Sequence, residues 1–219
     1  MDGFLNIHKP AGMSSFKCLS IVRRKLGLKK VGFLGTLDPL ASGVLVLLCG
    51  RATKLADKLH ESTKVYQSEF TFGIETTTLD NEGAVTAQSD VIPTEKQIRT
   101  VLPSLVGEIE IEVPKFSAVH IDGNRAYDLA RKGIDFTPPT RVVAVQRFEI
   151  IAKQSGSASR WFEIECQTGT YIRSLAKLMA QKLGTVAIAS TIIRTRVGQF
   201  DIATAKDFDN VTIDDIIKV

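Results

Sequence analysis

Residues 64–72, Lys-Val-Tyr-Gln-Ser-Glu-Phe-Thr-Phe, alternate with a period of two. Tyr66, Phe70 and Phe72 fall on one face and Gln67, Glu69 and Thr71 on the other, the pattern of a strand with one buried face. The unbroken apolar run 44–49 predicts a strand covered on both faces. A shorter strand over 3–8 ends at Lys9-Pro10-Ala11-Gly12, where proline and glycine mark a loop. Further strands are predicted at 107–113, 116–121, 141–152, 160–168 and 186–197, while 74–90 is polar and reads as a loop. A helix over 16–26 places Phe16, Leu19, Val22 and Leu26 near one face, capped by Ser14 or Ser15 and stopped by Gly27. Residues 51–61 suggest a second amphipathic helix. Thr94 and Gln97 have capping-box spacing for a helix to about 102, with Pro103 at its end. Helices at 124–132 and 172–183 are followed by the stops Gly133 and Gly184. Strands outnumber helices, and 141–168 has hairpin-like spacing. The reading is an α+β fold with a mixed, largely antiparallel sheet flanked by helices. Residues 1–219 show no repeat or flexible linker and read as one domain.

Composition adds limits. The apolar fraction of 44% and charged fraction of 24% are those of an ordinary globular chain. No apolar run is long enough to span a bilayer, and the first residues lack a signal-peptide pattern. Cys18, Cys49 and Cys166 are few and far apart, so no disulfide framework is implied and a reducing cytoplasm fits. The net charge is only +4 but is segregated. Residues 1–60 hold ten basic and three acidic side chains, and 115–200 hold thirteen and six. Residues 74–112 and 201–219 are acidic. Segregated basic regions suit a polyanion such as nucleic acid, and equally fit a solvated face.

His8, His60 and His120 are scattered with no ligand spacing between them, and phosphate-loop, dinucleotide and nucleophile-elbow motifs are absent. Nucleotide-fuelled, nicotinamide and zinc chemistry are therefore disfavoured, and no cofactor or metal is expected. Asp38 lies in a Gly- and Pro-bearing loop just ahead of the buried strand. A charge beside buried structure needs a partner or a task, although an Asp before Pro39 also suits a turn. Thr168-Gly169-Thr170-Tyr171-Ile172-Arg173 opens a helix after an alternating strand. Arg173 could pair with a buried carboxylate and Tyr171 could pack on a planar base, or both could be ordinary helix-start residues.

In order along the chain, these segments resemble the TruB family of tRNA pseudouridine-55 synthases. The resemblance rests on 9–15 (Lys-Pro-Ala-Gly-Met-Ser-Ser), 35–45 (Gly-Thr-Leu-Asp-Pro-Leu-Ala-Ser-Gly-Val-Leu) and 50–54 (Gly-Arg-Ala-Thr-Lys). It continues through Lys64-Val65-Tyr66, Asp80-Asn81-Glu82-Gly83, 114–119, 169–173 and 194–198, covering roughly 3–200. The resemblance implies the pseudouridine synthase catalytic fold. It implies a uridine isomerase acting on the T-arm of tRNA, without cofactor, membrane or obligate protein partner, working as a monomer. Asp38 would be the essential carboxylate, attacking the ribose C1′ or removing the 2′ proton. Tyr66 would stack on the uracil and assist loss of the C5 proton, and Arg173 would pair with Asp38. Tyr171 and Ile192 would line the pocket, Ile192 standing where the family usually has Leu. Asp80 would contact the extruded region, and Lys9 with the basic first helix would hold phosphates. Phe33 occupies a position where the family often has His, so it can stack but not hydrogen-bond in the same way. The acidic stretch 201–219 does not resemble the C-terminal RNA-binding (PUA-like) domain of many relatives, which is expected to be absent. A guide-dependent rRNA pseudouridine synthase and a non-catalytic RNA-binding protein on the same fold are the alternatives.

Overall fold

The computed structural model describes residues 1–218, leaving Val219 and the side chains of Asp57 and His60 outside the described residues. The strands are β1 (Gly3–Lys9), β2 (Val31–Leu34), β3 (Ser42–Cys49), β4 (Lys64–Phe72), β5 (Ile74–Thr76), β6 (Val85–Gln88), β7 (Gly107–Glu112), β8 (His120–Ile121), β9 (Asn124–Arg125), β10 (Thr140–Ile150), β11 (Ser159–Cys166), β12 (Ala187–Val197), β13 (Phe200–Asp201), β14 (Lys206–Asp207) and β15 (Ile217–Lys218). The helices are α1 (Ser15–Lys25), α2 (Ala56–His60), α3 (Glu95–Val101), α4 (Ala126–Arg131) and α5 (Ile172–Lys182). The chain divides into two compact units, one of 1–67, 165–168 and 192–219, the other of 68–164 and 169–191. The division passes within β4, β11 and β12.

In the first unit β1 lies antiparallel to β3 along its whole length, from Gly3↔Cys49 to Lys9↔Gly43. β12 joins β3 in parallel at Ile193↔Ser42 and Arg194↔Gly43. The apolar run of β3 has a physical reason: both of its faces are covered. Leu45, Leu47 and Cys49 pack with Leu5, Ile7 and the Cys18, Leu19 and Val22 stripe of α1. Val44, Val46 and Leu48 pack with Phe4, Ala52, Val197 and Phe200. Ser14 caps α1 by accepting from the Lys17 amide. Phe16, expected on the buried face, is 70% exposed. The buried stripe runs through positions 15, 18, 19 and 22, and Phe16 lies about 100° around the helix from position 15. The acidic tail pairs with β1, through β14 in parallel and β15 antiparallel.

In the second unit the strand order is β4-β11-β10-β7, with β7 and β10 antiparallel from Gly107↔Val145 to Glu112↔Thr140. Phe70, Phe148 and Phe162 form an aromatic cluster with ring centroids 4.8–6.0 Å apart. α5 buries Ile172, Leu175, Ala176 and Met179, and the capping box of Thr94 and Gln97 forms on α3 as its spacing predicts.

The mixed, largely antiparallel sheet with flanking helices matches the sequence reading, and four local expectations need correction. Residues 31–34, for which no element was expected, form β2. The segment 74–90 contains the hairpin β5–β6, whose exposed β6 has no buried face to give an apolar rhythm. The strand expected at 116–121 contracts to β8, because residues 114–119 carry no regular strand and the chain turns back at once into β9. The helix expected over 51–61 begins as a 3₁₀ turn, Gly50–Leu55, before α2. Among the described residues no helix is long and apolar enough to cross a membrane.

Gly43 is fixed by this topology. Its φ is +105° and a Cβ there would lie 2.2 Å from the Arg194 carbonyl oxygen. Gly43→Ala is expected to destabilise the chain by about 3 kcal/mol or more, read as a lower urea midpoint at unchanged slope.

Candidate active site

Asp38 sits half-buried between β2 and β3. The Ala41 amide donates to its carbonyl at 3.1 Å, so Asp38-Pro39-Leu40-Ala41 closes as a turn with proline at its second position. Asp38 is therefore a turn residue, and the turn is itself gripped. Ser15 Oγ donates to the Leu37 carbonyl and accepts from the Leu37 amide, both at 2.9 Å. The Gly12 amide donates to the Pro39 carbonyl at 2.8 Å. Lys9 Nζ donates to the carbonyls of Pro10 (2.9 Å), Met13 (2.6 Å) and Pro39 (3.3 Å). From β12, Arg194 donates through Nη2 to Gly35 (3.0 Å), Nη1 to Thr36 (3.5 Å) and Nε to Val44 (2.9 Å), all at carbonyls. Gly35 has φ of +68°, and a Cβ on it would come within 3.2 Å of Lys64 Cε and 3.4 Å of Arg194 Nη1.

Two further groups of the first unit complete this surrounding. Tyr66, on β4, is 8% exposed. Burial pushes its phenol up to about 12, against the pull of Arg194; the cysteine thiol of Cys166 and the carboxylate of Asp38 add to the rise. Tyr66 is thus neutral at any working pH. Lys64 is buried two residues away on the opposite side of the strand from Val65, and donates to the Ser62 carbonyl (3.2 Å) and to Thr168 Oγ1. Burial, and then the like charge of Arg194, lower its ammonium from 10.5 to about 8, with Cys166 opposing. Ile192 is buried, and Phe33 is half-buried and packs against the core cluster that includes Cys18, Leu19 and Val22 of α1.

In the second unit Arg173 and Asp80 come together. Arg173 is 3% exposed and donates to the carbonyls of Thr78 (2.7 Å) and Phe116 (3.0 Å). Its Nη1 lies 3.7 Å from Asp80 Oδ2. The other Asp80 oxygen accepts from Thr78 Oγ1 and from the Glu82 amide at 2.9 Å. Tyr171 is half-buried at the N-cap position of α5.

One expectation changes in kind. Lys9 was expected to hold a phosphate, but it is fully buried and its ammonium faces three carbonyls; it fastens the Asp38 turn to the preceding loop. Arg194, Lys64 and Ser15 were not singled out by sequence reasoning, although each lies within a quoted motif. Their burial is what marks them, and composition gives no signal for burying an arginine or a lysine. Among the described residues no cluster of three or more His, Cys, Asp or Glu could hold a metal ion.

Residues 23–172 match the model for the N-terminal domain of TruB family pseudouridylate synthases. Over 94% of its length the chain is 41% identical to the tRNA pseudouridine synthase B of Caulobacter vibrioides, covering 66% of that protein. It is 40% identical to that of Bacillus licheniformis over 96% of its length, covering 70% of the relative. The chain thus spans about two thirds of the length of these curated relatives. Among solved structures it is similar to a Cbf5-Nop10-Gar1 complex, with a TM-score of 0.71 and 28% identity over 97% of this chain and 52% of that one. It is also similar to an H/ACA RNP bound to a substrate RNA containing 2′-deoxyuridine, with a TM-score of 0.68 and 26% identity over 97% of this chain and 51% of that one.

The lowered Lys64 ammonium gives a pH test. Below about pH 8 both folded and unfolded chains carry the charge, and the full burial penalty acts on the fold. Between about pH 8 and 10 the unfolded chain binds this proton more tightly, so stability rises with pH. The urea midpoint of the wild type should therefore climb across this window relative to Lys64→Met, which lacks the titrating group.

Proposed function

This chain belongs to the TruB family of pseudouridylate synthases, and on that premise we propose that it isomerises uridine to pseudouridine in tRNA, at the T-loop uridine of position 55, with Asp38 as the essential carboxylate. The observation that carries the proposal is the gripped turn. A carboxylate on a loop held at Gly35, Thr36, Leu37 and Pro39 is aimed before substrate arrives, which lowers the ordering cost of reaching the transition state.

The reaction is an isomerisation, so nothing is consumed. Asp38 attacks C1′ or removes the 2′ proton, and either event releases uracil from its N-glycosidic bond. The base turns and C5 bonds to C1′ as the bond to Asp38 breaks or the 2′ proton returns; the C5 proton then leaves and N1, freed from the sugar, ends with a proton, so the product is an isomer of the substrate. The target uridine must leave its stack to reach a half-buried carboxylate. In this reading Tyr66 offers a ring face to the flipped base, and its neutral phenol relays a proton without storing charge. Arg173 serves as the cationic partner of Asp38. Asp80 lies 3.7 Å from Arg173, so its effect on the extruded region passes through that guanidinium. Tyr171 and Ile192 line the base pocket, and Phe33 supplies stacking without a hydrogen bond. Exposed Lys17, Arg23 and Arg24 on α1 offer charge to phosphates. The proposal includes a monomer acting in the cytoplasm on the tRNA T-arm, with no cofactor and no obligate protein partner.

A guide-dependent rRNA synthase is the second reading, favoured by the similarity to the Cbf5-Nop10-Gar1 complex. The 40–41% identity to tRNA pseudouridine synthase B proteins, against 28%, weighs toward tRNA. A purely RNA-binding role has no use for a pre-aimed Asp38.

Purified protein incubated with an unmodified tRNA transcript, without cofactor or guide, should form pseudouridine at the T-loop uridine. Asp38→Asn should abolish product while retaining RNA binding. Tyr66→Phe should slow the reaction by about 10²–10⁴-fold. RNA binding without product in the wild type would sink the proposal.

A further inference from the structure

Arg194 is fully buried, and among the described residues its guanidinium makes no ion pair; the hydrogen-bond partners found for it are carbonyls at 35, 36 and 44. Burying a guanidinium is costly unless its donors are satisfied. The choice of acceptors is informative. Two lie where the Asp38 loop leaves β2 and one lies just inside β3, so a single planar group joins the two ends of the loop. A planar fork of fixed donors suits this task in a way that a lysine point charge does not. The backbone contributes as well. Arg194 is in register with Gly43, so closely that a Cβ on Gly43 would collide with its carbonyl. Gly35 likewise leaves room for Nη1. Both glycines flank Asp38; Gly43 is shaped around Arg194 alone, and Gly35 around Lys64 and Arg194 together.

We propose that Arg194 is a positioning residue for the reaction at Asp38: it closes the segment 35–44 into a ring and thereby fixes where the carboxylate stands. The proposal rests on the isomerase reading above, in which Asp38 is the reacting carboxylate. Ser15, Gly12 and Lys9 hold the far side of the turn at Leu37 and Pro39, so Arg194 sets the base of the loop and they set its tip. The positive charge of Arg194 also opposes the rise of the Tyr66 phenol, so the same group acts on the residue assigned to the uracil face. Losing the fork leaves Asp38 present but displaced, and a displacement of about 1 Å can cost about 10²-fold in rate.

The test uses the full chain with Arg194→Lys, which keeps the charge, and Arg194→Gln, which keeps a planar donor. Three quantities are read: the single-turnover rate on an unmodified tRNA transcript at saturating protein, tRNA affinity by filter binding, and deuterium uptake of the peptide 35–41. Both variants should lose about 10²-fold in rate and keep affinity within about twofold, with faster exchange at the Leu37 and Ala41 amides. Amides of β1 and α1 should stay protected. An unchanged rate in Arg194→Lys overturns the proposal. So does a rate loss that tracks lost affinity and faster exchange throughout the first unit, which would assign Arg194 to stability alone. Failure of Arg194→Lys to fold has the same meaning; failure of Arg194→Gln alone leaves the lysine variant to decide. A wild type that makes no pseudouridine, with variant exchange confined to 35–41, removes the isomerase reading and leaves the loop-setting role standing.

Discussion

Buried cations bonded to backbone carbonyls hold the Asp38 loop in place. A loop next to an apolar core has carbonyls that no sheet partner satisfies, and each one buried and left unpaired costs about 1–3 kcal/mol. Lys9 and Arg194, both fully buried, meet six distinct carbonyls in and around the loop. Neither interaction is strong on its own terms, because each charge loses its hydration. Their joint effect is geometric: the segment has one arrangement in which all of these groups are satisfied. β3 supplies the rigid ground beneath it, since both faces of that strand are packed.

The strong periodicities were legible in the sequence for a simple reason. Where an element buries one face or two, as in β3, β4 and α5, the core imposes the rhythm and residue type reports it. Where an element is exposed, as in β6, or very short, as in β8 and β9, no core imposes a rhythm and the sequence is silent. Phe16 shows the converse limit: an apolar residue within a helical repeat still points outward when the stripe is centred one position away.

The site was legible only through motif order. Asp38 taken alone is a turn residue, and the structure shows that it is one. Arg173 lies buried at the start of α5, where its segment suggested, and gathers Thr78, Asp80 and Phe116 from distant loops that no local pattern connects. The bracing roles of Lys9 and Arg194 were beyond reach because they lie in what the ammonium and guanidinium touch. A lysine near a Pro-Gly loop and an arginine on a strand read as solvent-facing by type, and only tertiary packing reveals them as internal struts.

The tail that pairs with β1 has a consequence for how the molecule is made. Phe4 is in register with Ile217, and Ile7 with Lys206, so the first strand waits for residues synthesised about two hundred positions later. The second unit is interleaved with the first, and every one of its residues leaves the ribosome before that closure. Contacts of such separation form late, since a long loop must be closed before they contribute. Until β14 and β15 are made, the edge of β1 away from β3 has no strand to cover it.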